Sequence, residues 1–109
     1  MKLMIYDVTL EMIEEVAPIA RSVDRCDPDL ARQLRRAAAS VALNTAEAAY
    51  SQGRNAGARF YSAMASANEV RACLDVATRF GYVGPVAASV RDKLDRIVAT
   101  LHKLTRPVR

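Results

Sequence analysis

The chain has 109 residues and a net charge of +4, with 51% hydrophobic and 26% charged side chains. That apolar content excludes a disordered polymer, and the length suits one domain, 1–109, around one core. Aromatics reach only 6% and tryptophan is absent, which favours closely packed alanine-rich helices over strands with bulky rings, so the expected class is all-α.

Met1 to Tyr6 reads as an extended or frayed lead-in, after which Asp7 or Thr9 caps a first helix over 7–24. Met12, Val16, Ile19 and Val23 form its apolar face. Pro18 lies inside that pattern, which predicts a bend or a break at a cost of up to ~3 kcal/mol. Asp27-Pro28 signals the next start: a capping carboxylate, then proline at the first helical position, where the missing N–H is no loss. The second helix is predicted over 28–51. Ser51 to Gly57 collects Ser, Gly and Asn and reads as a loop. A third helix follows over 56–80, with Phe60, Ala63, Met64, Ala67, Val70 and Leu74 toward the core, and Gly81 stands where a helix-ending glycine belongs. Tyr82-Val83-Gly84-Pro85 then turns into a fourth, proline-led helix over 85–105. Its Val90, Leu94, Ile97, Leu101 and Leu104 recur at spacings of 4, 3, 4 and 3. Pro107 closes it, and the tail is expected to fray. Four amphipathic segments joined by short turns predict an antiparallel up-down-up-down four-helix bundle.

The second helix is apolar on two sides. At 100° per residue, Leu30, Leu34, Ala37, Val41 and Ala48 fall within an arc of roughly 60°, and Ala39, Leu43, Ala46 and Tyr50 fall within another on the far side. One such face suffices for a small monomer. The outer four residues are therefore the candidate oligomer interface, and a homo-oligomer is expected.

Gln33, Ser40, Asn44 and Glu47 run along one flank of the inner stripe at steps of 7, 4 and 3. An unpaired polar side chain there would cost ~1–3 kcal/mol, so partners are expected, with Ser66 and Glu69 on the third helix as candidates. Read structurally, these six residues form a polar network that fixes helix register; a ligand site is the alternative.

Charge is unevenly spread. Residues 1–29 hold three basic and seven acidic side chains, whereas residues 30–109 hold thirteen basic and five acidic. Thirteen of the sixteen basic residues are arginine, which suits bidentate contact with phosphate or carboxylate. Arg32, Arg35 and Arg36 lie on the outer side of the second helix, and Arg54 and Arg59 lie just past its end. They are candidate contacts to RNA or DNA. No aromatics interleave with them, so contact with the nucleic-acid backbone is expected rather than base stacking. Ion pairs across a subunit interface compete for the same arginines, and a merely solubilising surface competes with both.

No apolar run approaches the ~20 residues of a membrane helix, and MKLMIY gives way at once to Asp7 and Glu11 instead of a cleavage site, so a cytoplasmic protein is expected. Cys26 and Cys73 lack ligand spacing and read as free thiols. Glu47 and Glu69 suggest a carboxylate metal site, but such bundles need Glu-x-x-His pairs, and the single histidine, His102, has Ala99 three residues before it. No metal or cofactor is expected. Nor can a Cys-His or Ser-His pair be argued from spacing, which points away from an enzyme.

Three stretches together resemble a known family: Gln33-Leu-Arg-Arg-Ala-Ala-Ala-Ser40-Val-Ala-Leu-Asn44-Thr-Ala-Glu47, Phe60-Tyr-Ser-Ala-Met-Ala65-Ser66-Ala-Asn-Glu69, and Gly81-Tyr82. The family is that of the four-helix-bundle proteins encoded in intervening sequences of bacterial 23S rRNA genes, whose relatives include the accessory variability proteins of diversity-generating retroelements. The likeness covers about residues 30–83, in order and spacing. Ala48 and Ala65 stand where the family carries glycine. The resemblance implies a left-handed bundle, often assembled as a homopentameric ring, with no established enzymatic activity. For the retroelement relatives it also implies nucleic-acid binding and association with a reverse transcriptase.

Overall fold

A computed structural model of the protein describes residues 4–51 and 54–105. Four helices occupy most of them: α1 Met4–Asp24, α2 Pro28–Tyr50, α3 Arg54–Arg79 and α4 Ala88–Thr105. Among the described residues there is no strand.

The expected lead-in is helical from Met4 onward. Ile5 and Val8 are buried on the same face as Met12 and Val16, so core burial extends α1 backward. Thr9 is no cap. It lies fully buried one turn in, and its Oγ1 donates to the Tyr6 carbonyl at 2.6 Å. The helix runs through Pro18 without a break. Pro18 and Glu14, the residue whose carbonyl loses its N–H partner, are both exposed.

Asp27 caps α2 as the Asp-Pro pair predicts, its Oδ1 accepting from the Leu30 N–H at 3.0 Å. Gly81 ends α3 with φ at +78°. The Gly81 N–H donates to the Thr78 carbonyl and the Tyr82 N–H to the Ala77 carbonyl, the paired bonds of a Schellman turn. Pro85 does not lead α4, which begins at Ala88. Tyr82, Val83 and Val86 pack partly buried against the core, holding this stretch out of the helix until the Ala87 carbonyl accepts from the Val90 and Arg91 N–H groups.

Each helix packs on its neighbours in the chain, and α1 also packs on α4. Side-chain pairs set the direction. Ser40 meets Ser66 while Asn44, further along α2, meets Arg59, earlier on α3, so these two helices run antiparallel. Arg71 with Asp95 and Asp75 with Arg91 show the same reversal between α3 and α4. The buried side chains of all four helices join in one apolar cluster. Leu34, Val41, Leu74, Leu94, Ile97 and Leu101 are its fully buried anchors. Leu104 departs from the expected seam: it lies in the last described turn, 39% exposed, where the packing layer runs out.

Candidate functional site

The inner stripe of α2 is buried throughout, from Leu30 to Ala48. Its outer side is not. Leu43 is 67% exposed and Tyr50 79%, with Ala39 exposed and Ala46 half-buried beside them. Arg32 and Arg36 precede these four at steps that keep all six residues on one side of the helix. The strip is thus basic near the start of α2 and apolar near its end.

Between α2 and α3 lies a polar seam. The hydroxyls of Ser40 and Ser66 are 2.8 Å apart and share one hydrogen bond. The Asn44 amide donates to both the Oγ and the carbonyl of Ser40, each at 3.0 Å. Arg59 completes the chain, donating to Asn44 Oδ1 at 3.3 Å and approaching Glu47 Oε1 to 3.6 Å. Four of the six residues expected in a polar network are therefore linked, with Arg59 as a fifth member that spacing alone could not supply. Gln33 and Glu69 are exposed and make no side-chain hydrogen bond among the described residues. With Arg36, Ala37, Ser40 and Ser66 they line a groove of about 530 Å³ directly beside the network. No buried side-chain N or O among the described residues lacks a partner.

The five candidate arginines are differently placed. Arg35 and Arg36 are exposed and form no ion pair among the described residues. Arg32 pairs with Asp29 at 2.8 Å, an exposed contact of little energetic weight. Arg59 is engaged across the seam, and the side chain of Arg54 lies outside the described residues.

One feature lay beyond the reach of spacing arguments. Phe80, immediately before Gly81, is 67% exposed, and its ring stacks on Tyr82 with centroids 5.2 Å apart and planes 11° from parallel. The Tyr82 hydroxyl donates to Asp27 Oδ2 at 3.3 Å, tying this turn to the start of α2. Burial first, and then the Asp27 carboxylate, hold the Tyr82 phenol above its ordinary pKa. An exposed aromatic thus stands at the arginine-bearing end of α2. The only sequence signal for it is a pair of aromatics flanking a helix-ending glycine.

Elsewhere, Glu15 and Lys93 form a half-buried ion pair between α1 and α4. The Lys93 ammonium and the Ser89 hydroxyl hold the Glu15 carboxyl below its usual range, and the same hydrogen bond raises Lys93. Cys26 and Cys73 are both free; burial raises the Cys73 thiol, which makes it unreactive. Among the described residues no three His, Cys, Asp or Glu side chains come together as metal ligands, and no helix is long and apolar enough to cross a membrane.

Comparison with known proteins adds two findings. The sequence matches the family described as 23S rRNA-intervening sequence protein over residues 1–103. The fold is similar to the crystal structure of a protein of unknown function from the S23 ribosomal protein family of Bacteroides thetaiotaomicron VPI-5482. That similarity has a TM-score of 0.83 at 20% sequence identity and covers 94% of this chain and 99% of the other. No curated sequence matches the chain.

Proposed function

The chain belongs to the 23S rRNA-intervening sequence protein family, and on that footing we propose that it is a non-enzymatic, homo-oligomeric module that binds RNA or DNA through arginine contacts to the backbone. The observation that carries this reading is the outer strip of α2. Leu43 and Tyr50 stand in water on a helix whose other side already fills the core, which supports a second copy of the chain as their cover. Arg35 and Arg36, free of ion pairs among the described residues, supply the positive charge. A ring of five, the assembly that the resemblance suggests, would present this weak site several times to one strand and raise its avidity. Two free thiols fit the cytoplasm.

Native mass measurement with and without RNA tests both halves of the proposal. The protein should exceed its 11.9 kDa monomer mass, and Leu43→Glu should return it to that mass with its helices intact. Binding should weaken as salt rises, with a log-log slope of about −0.7 to −0.9 per phosphate neutralised. Changing Arg32, Arg35 and Arg36 together to Ala should flatten that slope. The second reading, a protein-only scaffold, draws on Arg32 and Arg59, which already sit in ion pairs. It prevails if the intact oligomer binds neither RNA nor DNA at low salt, or if the triple variant falls apart.

A further inference from the structure

Among the described residues, Phe80 is placed unlike any other exposed side chain. An aromatic ring in water is usually free to turn, but this one rests flat on Tyr82, and Tyr82 is packed against the core and bonded to the Asp27 carboxylate. One ring face is covered and the ring is held, so the remaining surface is presented in a fixed direction at little further cost in conformational entropy. In front of it lies a groove of about 620 Å³ lined by Asp75, Val76, Thr78, Arg79, Phe80 and Arg91, a volume within the range of small-ligand sites. Val76, 41% exposed, extends the apolar floor.

The charge around the groove is graded. Arg91 is occupied by Asp75 at 2.9 Å, whereas Arg79, the last residue of α3, forms no ion pair among the described residues. The hydrogen bond from Tyr82 to Asp27 brings the start of α2 to the same end of the bundle. Arg32 and Arg36 follow on the first turns of that helix, about 8 and 14 Å along its axis from Asp27 at 1.5 Å per residue. A fixed aromatic face, with Arg79 and Arg36 free of ion pairs among the described residues and Arg32 held only by an exposed contact to Asp29, is the arrangement that single-stranded nucleic acid requires: a base against the ring, and its phosphates against arginine.

We propose that Phe80 is a base-stacking platform for single-stranded RNA or DNA, with Arg79 receiving the adjacent phosphate and the strand continuing toward Arg32 and Arg36. This inference rests on the nucleic-acid reading above and adds to it a contact with bases. It takes the base without discriminating strongly among the four, because every base has a π-face, and because Asp75 and Arg91 in the groove are engaged with each other while the Thr78 hydroxyl donates to the Leu74 carbonyl.

The test measures binding of the intact oligomer at low salt to a labelled oligouridine and to an abasic strand of equal length. Phe80→Ala should weaken oligouridine binding by roughly 5- to 150-fold, the range for one lost stack, and leave the abasic strand unaffected. Phe80→Trp should restore it. The salt slope should not change in Phe80→Ala, which removes no charge, but should fall by about 0.7 in Arg79→Ala. Equal binding of both strands by wild type and Phe80→Ala overturns the platform while leaving backbone binding in place. An oligomer mass altered by Phe80→Ala also overturns it, since the ring then belongs to a subunit contact. Failure of the wild type to bind either strand overturns the nucleic-acid reading, and the platform with it.

Discussion

α4 and α2 carry the same kind of inner seam, yet their outer sides differ. In α4, Val90, Leu94, Ile97 and Leu101 are each no more than 2% exposed, and the opposite side is Asp92, Asp95, Arg96, Ala99 and Lys103. In α2 the inner stripe is as well buried, but Leu43 and Tyr50 remain exposed behind it. The seams to neighbouring helices differ as well. Among the described residues α4 meets α1 at Glu15, which takes the Lys93 ammonium and the Ser89 hydroxyl, while α2 meets α3 through the hydroxyl and amide chain of Ser40, Ser66 and Asn44. For α4, then, apolar surface and folding stability are the same thing. For α2 they are separable, and only the inner half of its hydrophobicity is consumed by folding the monomer.

The sharpest test of that contrast uses the same residue type on both helices. Leu94→Ala should cost about 2–5 kcal/mol in urea denaturation, since it empties a fully buried position. Leu43→Ala should stay within about 0.5 kcal/mol in dilute protein, where association contributes nothing. Equal losses at the two sites would show that the outer strip of α2 is part of the monomer's own stability.

A smaller effect is expected in the polar seam. Ser40→Ala removes a partner from both Ser66 and Asn44 and should cost about 0.5–1.5 kcal/mol. Because Asn44 keeps its bonds to the Ser40 carbonyl and to Arg59, the loss should stay below that of Leu94→Ala. A loss near zero would mean that water replaces the hydroxyl, leaving the network no part in register.

The α1–α4 ion pair should appear as a pH dependence. Glu15 is held below its ordinary pKa by Lys93, so its contribution is present above the usual carboxylate range and is lost as pH falls through the lowered folded value. Lys93 is raised by Glu15, so its contribution is present below the usual lysine range and is lost as pH rises through the raised folded value. Tyr82, raised by burial and by Asp27, loses its contribution in the same alkaline direction. Lys93→Met should flatten the acid limb and reduce the alkaline one, and Tyr82→Phe should reduce the alkaline limb alone, both read from denaturation midpoints across pH. An acid limb unchanged by Lys93→Met would assign it to other carboxylates.

Most of this architecture was legible because it is local. Asp27-Pro28 and Gly81 are punctuation whose physics is complete within a few residues, and the inner seams of α2, α3 and α4 follow from period alone. What was not legible depends on contacts far apart in sequence. Pro85 satisfies every local condition for a first helical residue, yet α4 starts at Ala88, because the packing of Val83 and Val86 on the core decides otherwise. Arg59 reads locally as a surface arginine, and nothing near it in sequence says that it meets Asn44 and Glu47. Phe80 carries no decisive local signal for the same reason, since its partner Tyr82 is bonded to Asp27, 55 residues earlier.

Asp27 uses its two carboxylate oxygens for different tasks. Oδ1 caps α2 through the Leu30 N–H, and Oδ2 receives the Tyr82 hydroxyl. Undocking of the α3–α4 turn would release one oxygen and free the carboxylate to rotate away from the other bond. The Leu30 amide should therefore exchange with deuterium not at the rate of a simple fraying helix end but at a rate governed by that distant turn. In Tyr82→Phe its protection should drop toward that of an uncapped terminus, which makes a single backbone proton in α2 a reporter of whether the opposite half of the chain is in place.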